Sequence, residues 1–170
     1  MSPVRIQRLT EADWERFREI RLRALQQDPQ AFSTTAAEAG QLSAAEWRAR
    51  LRTRAAFVAD DGGRLVGLVS GIAAEPSESG DHADAAELIS MWVEADCRGR
   101  GIADQLVEAV VGWAAAEGYA RLRLCVIEGN QAAERLYRRR GFRPTGERQP
   151  VGRDDRMESV MERPLRPAPS

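Results

Sequence analysis

Residues 87–118 read ELISMWVEADCRGRGIADQLVEAVVGWAAAEG, and this stretch decides the fold. Residues 88–93 are a short, largely apolar run of strand length. Arg98 and Arg100 then alternate with Gly99 and Gly101. Behind them Ile102, Leu106, Val110 and Trp113 recur at helical spacing, which predicts a helix over residues 102–117 with one apolar stripe. Gly118 ends it. Residues 120–127, ARLRLCVI, alternate at first and are then apolar throughout, as in a second strand. Strand, helix and strand together have the length of a parallel crossover unit.

Working outward, the rest of the chain reads as antiparallel strands and flanking helices. Residues 4–9 alternate and form a first strand. Thr10 opens a capping box with Asp13 in place of the usual Glu. Trp14, Phe17, Ala24 and Leu25 follow at helical spacing until Asp28-Pro29 stops the run. A second box, Ser43 with Glu46, carries a Leu42–Trp47 hydrophobic staple and starts a helix reaching to about Thr53. Two β-type runs flank Asp61-Gly62-Gly63, a hairpin signal. Residues 75–87, EPSESGDHADAAE, hold five acids, one His and no base, and are expected to be a mobile, solvated loop with His82 at the surface. Residues 130–140 form a short helix closed by Gly141. Residues 142–146 and 157–165 form a last strand pair around the polar segment ERQPVGRDD, 147–155.

The order is β α α β β β α β α β β. It specifies a mixed α/β (α+β) sheet, mostly antiparallel, with one parallel β-α-β unit and helices on both faces. Residues 1–165 are read as a single domain and residues 166–170, RPAPS, as a disordered tail.

Composition narrows the function classes. The formal net charge of −1 gives no electrostatic footprint for nucleic acid. No apolar run reaches membrane-spanning length, and residues 1–10 lack the apolar core of a signal peptide, so the default location is cytoplasmic. The two cysteines, Cys97 and Cys125, lack zinc-site spacing and are too few for a disulfide scaffold. Cys125 is expected in the core and Cys97 exposed in a polar turn; no metal is expected. All 25 basic residues are arginine, so no side-chain amine of this chain can carry an acyl group.

The loop at residues 98–103 follows a strand and opens a helix, as an anion cradle should. Helix N-termini leave backbone N–H groups without internal partners, glycine lets the backbone approach a ligand, and arginine forks onto phosphate oxygens. On residues alone, a Gly-rich turn with solvated arginines explains the stretch equally well. Other phosphate motifs fit less well: a P-loop needs a Gly-Lys-Ser/Thr that is absent. A dinucleotide fingerprint needs glycine where Asp104 stands.

Two blocks resemble the GNAT N-acetyltransferases. The first is the strand running into R-x-x-G-x-[GA], matched by Arg98, Gly101 and Ala103. The second is LCVIEGNQAAERLYRRRGF, with Asn130, Leu136-Tyr137 and Gly141-Phe142 in family order and spacing. The resemblance implies an acetyl-CoA-dependent enzyme moving an acetyl group directly onto a primary amine of a small molecule or peptide. It implies that the pyrophosphate sits on the amides of Arg98, Gly99, Arg100, Gly101, Ile102 and Ala103. Pantetheine would lie along Met91, Trp92 and Val93 in a cleft where the two strands splay. An amide near Trp92 or Val93 would polarise the thioester, and Asn130 would contact the cofactor.

Glu87 is the implied general base, against a solvated charge at a strand end. Simple alternation puts Glu87 on the face of Ile89, Met91 and Val93; a β-bulge would change that parity. Tyr137 is the implied acid for the leaving thiolate, against an aromatic packing with Leu136 and Ala133. Asn130 also suits a helix N-cap.

In the family, acceptor choice comes mostly from the N-terminal helices and the last strand connection, here residues 18–46 and 148–156. Trp47, Phe32 and Trp92 are candidates to line that cleft, and the acidic segment 75–87 weakly favours a cationic acceptor. A non-catalytic acyl-CoA sensor on the same fold is the alternative function, and a homodimer is left open.

Overall fold

In the computed structural model, which describes residues 3–32, 34–75, 82–152 and 154–165, seven strands form one sheet. They are β1 (Arg5–Arg8), β2 (Ala55–Asp61), β3 (Arg64–Ala73), β4 (Ala85–Val93), β5 (Arg121–Ile127), β6 (Arg143–Pro150) and β7 (Met157–Pro164). The helices are α1 (Trp14–Gln27), α2 (Ala36–Gly40), α3 (Ala44–Thr53), α4 (Ile102–Ala116) and α5 (Gln131–Arg139). The strand order is β1-β2-β3-β4-β5-β7-β6, and β4–β5 is the parallel pair in an otherwise antiparallel sheet. The expected mixed sheet with its single β-α-β crossover is what the chain forms.

Each face of the sheet carries its own core. On one, α4 lays Ile102, Leu106 and Val110 against Val66, Val69, Leu88 and Leu122. Gly71 of β3 makes this approach close: a Cβ there would meet the Trp113 ring at 2.5 Å. On the other face, Phe17, Ile20 and Leu25 of α1 and Trp47 and Leu51 of α3 cover Val58, Leu68 and Trp92. Both sequence-read capping boxes are present. The Thr10 amide donates to Asp13 at 2.8 Å and that of Ser43 to Glu46 at 2.7 Å. The Thr10 box opens a single 3₁₀ turn before α1, and a short α2 capped by Thr35 adds a helix that the pattern did not show.

Two strands are longer than the sequence suggests. β4 starts at Ala85, inside the segment read as an acidic loop, because Ala85 to Glu87 pair with β3 on one side and β5 on the other. β6 runs to Pro150, so half of the polar segment is strand. It is exposed along its whole length and shows no alternation; its backbone pairing with β7 holds it. Residues 76–81 of the segment expected to be a mobile loop, and residues 166–170 expected to be a disordered tail, lie outside the described residues.

The burial of the two cysteines is the reverse of the expectation. Cys97 is 5% exposed, tucked by a 3₁₀ turn under the start of α4. Cys125 is only half-buried, because alternation along β5 sends Leu122, Leu124 and Val126 into the α4 core and Cys125 to the opposite face.

Candidate active site

The site exists because β4 and β5 part company. Their ladder has three rungs, Ala85↔Arg121, Ala86↔Leu122 and Glu87↔Arg123, and then stops. Beyond it β4 carries a bulge: the register with β3 shifts between Leu68 and Ser70, and Ser90 adopts φ 62. That extra residue moves Trp92 into the core under α1 and α3, while Val93 joins the α4 core. The unbulged parity, which grouped Glu87 with Met91 and Val93, is therefore corrected.

Backbone alternation sets which amides face the gap. Glu94 donates to the Val66 carbonyl at 2.8 Å. In an antiparallel ladder the next hydrogen-bonded pair is Leu68–Trp92, so the Trp92 amide is engaged by β3. Val93 is a non-bonded position with its backbone turned toward the gap, and its carbonyl accepts from Arg98 Nε at 3.0 Å.

A cavity of about 630 Å³ fills the gap between Met91–Val93 and the first turns of α4 and α5. Arg98, Gly99, Gly101, Ile102 and Ala103 form one wall and Asn130 another. Gly99 and Gly101 sit at φ 81 and 78, left-handed conformations that side chains resist, with nothing within 4 Å of where a Cβ would be. Gly101 is the N-cap of α4, so the unpaired amides of that helix point out of this turn.

The two loop arginines differ. Arg98 lines the cavity and is held by Asp28 at 3.0 Å. Arg100 turns away to Asp61 at 3.1 Å and is not among the lining residues, so only its backbone belongs to the loop.

Sequence reading missed Asp28 and Arg139. Asp28 looked like a helix stop beside Pro29, yet its carboxylate also accepts from Trp92 Nε1 at 2.7 Å and so fixes two walls at once. Arg139 lines the cavity and bonds Asp104 at 3.0 and 3.1 Å, which holds that carboxyl below its usual range. Neither carries a local signal, because each partner is far along the chain.

A second cavity of about 500 Å³ adjoins the first, the two sharing Ala31, Met91, Ile127, Asn130, Ala133 and Leu136. Glu87 and Tyr137 both line it. Burial raises the Glu87 carboxyl above its ordinary value; Arg123 opposes this, and Glu158 reinforces it. Burial likewise pushes the Tyr137 phenol well above its usual range, so it keeps its proton. Its ring also packs edge-on against Phe142 at 5.8 Å. The Asn130 side chain accepts from the Ala133 amide at 3.1 Å, capping α5 while lining both cavities.

Cys125 also faces this cavity, but burial and then Glu158 and Glu87 raise its thiol to about 12, which leaves it protonated and a poor nucleophile. His82 is half-buried rather than on the surface and shares a smaller cavity with Glu87 and Arg123. Of the three aromatic candidates, Phe32 and Trp92 each touch a cavity, whereas Trp47 is fully buried in the core. The two segments expected to shape acceptor choice meet: Arg156, before β7, donates to the Gln30 carbonyl at 2.6 Å.

A family model described as the acetyltransferase (GNAT) family matches residues 7–142. The chain belongs to this family. N-acetyltransferase 8 of Rattus norvegicus is 35% identical over 91 residues, which is 54% of this chain and 40% of the rat protein. The chain thus spans about two fifths of the length of the curated relatives it matches. Among solved structures, a GNAT-family acetyltransferase from Streptococcus pneumoniae superposes with a TM-score of 0.78 at 20% identity, covering 96% of this chain and 99% of that one. A putative acetyltransferase, yncA, from Salmonella typhimurium, solved with its cofactor acetyl-CoA, gives 0.77 at 19% identity, covering 99% and 98%. At these identities the likeness is one of fold.

Proposed function

We propose that residues 1–165 form one acetyl-CoA-dependent N-acetyltransferase domain that moves an acetyl group directly onto a primary amine. The observation that carries the reading is the junction of the two cavities. One has a glycine turn at a helix N-terminus, and the other holds a carboxyl and a phenol with raised pKa values.

The residues present suit the cofactor. The open turn at Gly99 and Gly101 admits a pyrophosphate onto the amides of residues 98–103, with Arg98 beside it. The edge of β4 at Met91 and Val93 offers backbone groups to an extended pantetheine arm. Bound acetyl-CoA supplies an acetyl thioester, whose C–S bond breaks as the new N–C bond forms.

The protein's own groups manage the protons. Glu87, held partly out of water, takes a proton from the attacking amine, directly or through a water. The Val93 amide faces the gap and is the donor placed to hold a carbonyl oxygen as charge builds on it. Tyr137 keeps its phenolic proton until the departing sulfur accepts it. Neither cysteine is needed as a nucleophile, so both substrates occupy the junction together and transfer gains from proximity.

Thiol release from acetyl-CoA across a panel of primary amines tests the proposal. Wild-type protein should release CoA with at least one amine. Tyr137→Phe should lower turnover about a hundredfold while acetyl-CoA affinity stays at the wild-type value. Tight acetyl-CoA binding without thiol release would instead mark the domain as a sensor.

A further inference from the structure

The second cavity has a wall that the acetyl-transfer machinery does not use. Arg21 of α1, Arg50 of α3 and Arg54 at the end of α3 all line it, together with Phe32. Among the described residues none of the three arginines has a carboxylate partner, although nineteen ion pairs form among the described residues of the same molecule. Arg21 is 6% exposed, yet its Nε and one Nη make no hydrogen bond; neither does the buried Nε of Arg54. The Arg21 guanidinium lies 4.8 Å from the centre of the Phe32 ring, which orients it but satisfies none of its N–H groups. Burial and the neighbouring Arg54 and Arg50 pull its pKa down to about 10, so it remains a cation at neutral pH.

Buried guanidinium groups without partners are strongly disfavoured unless a ligand completes them. Arg21 and Arg54 bring such groups to one cavity. Arg50, half-buried and 5.6 Å from the Trp47 ring centre, adds a third cation, and the N–H forks of the three match a carboxylate or phosphonate. The acids of this cavity, Glu87 and Glu158, belong to β4 and β7 rather than to the helices that carry the arginines. The cavity is thus polarised, with a cationic helix wall and an acidic sheet wall.

We infer that the acceptor is a small zwitterionic amine, its anionic group seated on Arg21, Arg50 and Arg54 and its amine turned toward Glu87. This rests on the acetyltransferase reading and deepens it. It differs from the weak expectation of a cationic acceptor. Of the acidic segment at residues 75–87, only Glu87 lines this cavity among the described residues, and Asp84 is paired with Arg121 at 3.1 Å.

Three matched probe sets decide the matter: free amino acids, their amides or decarboxylated amines, and the corresponding aminophosphonates. The expected result is that the best amino acid or aminophosphonate exceeds its uncharged counterpart in kcat/KM about ten- to a hundredfold. Preference between the first and third sets identifies which anion the arginines take. Arg54→Gln should shrink the ratio toward one, with acetyl-CoA affinity showing that the fold is intact.

Amides or decarboxylated amines turned over as well as the acids would overturn the inference while leaving the acetyltransferase reading standing. If acetyl-CoA binds but no probe releases thiol, the catalytic reading fails instead. Thermal shifts of the acetyl-CoA complex by the same probes then still decide the anion site. Stabilisation by the anionic probes alone supports it, and stabilisation by neither, or by both equally, overturns it.

Discussion

The two cavities meet at one junction and are built on opposite plans. In the first, the nearby charges already have partners: Arg98 with Asp28, Arg100 with Asp61, Asp104 with Arg139. What is left to meet a ligand is mainly backbone, the amides of a glycine turn and the edge of β4. In the second, backbone plays little part: arginines without carboxylate partners share the space with Glu87 and Glu158. A site made of backbone can serve a cofactor common to a whole family. A site made of side chains can be rewritten by substitution, and that is where acceptor choice can diverge.

The sharpest test of this contrast is Glu87→Gln. It should lower turnover by roughly 10²–10⁴-fold and leave acetyl-CoA affinity alone. The wild-type pH–rate profile should show an acidic limb above the ordinary carboxylate pKa, and the variant should lose it. The same group also makes a stability prediction. A carboxyl whose folded pKa is raised favours folding less as pH climbs from its unfolded value through its folded one. Glu87→Gln should therefore melt higher than wild type at pH 7 and show no such gain well below the ordinary carboxylate range.

Gly101→Val tests the other plan. It forces a branched side chain into a left-handed turn at φ 78 and pushes a Cβ into the open cradle. Strain of about 1–3 kcal/mol, with the steric block added, should weaken acetyl-CoA about ten- to a hundredfold or more in calorimetry. Unchanged affinity would remove the turn from the cofactor site.

Arg21→Met has a smaller effect and the opposite sign. Relieving a buried cation without partners should stabilise the fold by about 1–3 kcal/mol, a rise of roughly 2–4 °C in Tm for each. A fall in Tm would show that Arg21 is a structural group. Asp104→Asn should change least. The pairs it breaks join a half-buried carboxylate to surface arginines and are worth about 0–1 kcal/mol, so only a slight shift in the melting curve is expected.

The same contrast explains what sequence alone could reveal. The β4–α4–β5 crossover and the glycine turn were legible because their signals are contiguous: an apolar run, a glycine pair, a helical stripe. The capping boxes at Thr10 and Ser43 were legible for the same reason. β6 was cut short in the reading, since its residues are exposed and its only warrant is the neighbouring β7. The cysteines were exchanged because a polar turn can fold under a helix, and because one side of a strand cannot be told from the other until both faces are covered. Arg21, Arg50 and Arg54 were invisible among 25 arginines. Only the packing of α1 against α3 separates the three from the rest.

The three-rung seam between β4 and β5 has a consequence in hydrogen exchange. On one side of a single residue step, the Trp92 amide is locked into the ladder with β3; on the other, the Val93 amide faces the gap. In the free protein these neighbours should exchange with deuterium at very different rates, and a ligand lying along the seam should slow Val93 toward the rate of Trp92. The open edge thus records its own occupancy, one amide at a time, without any turnover being measured.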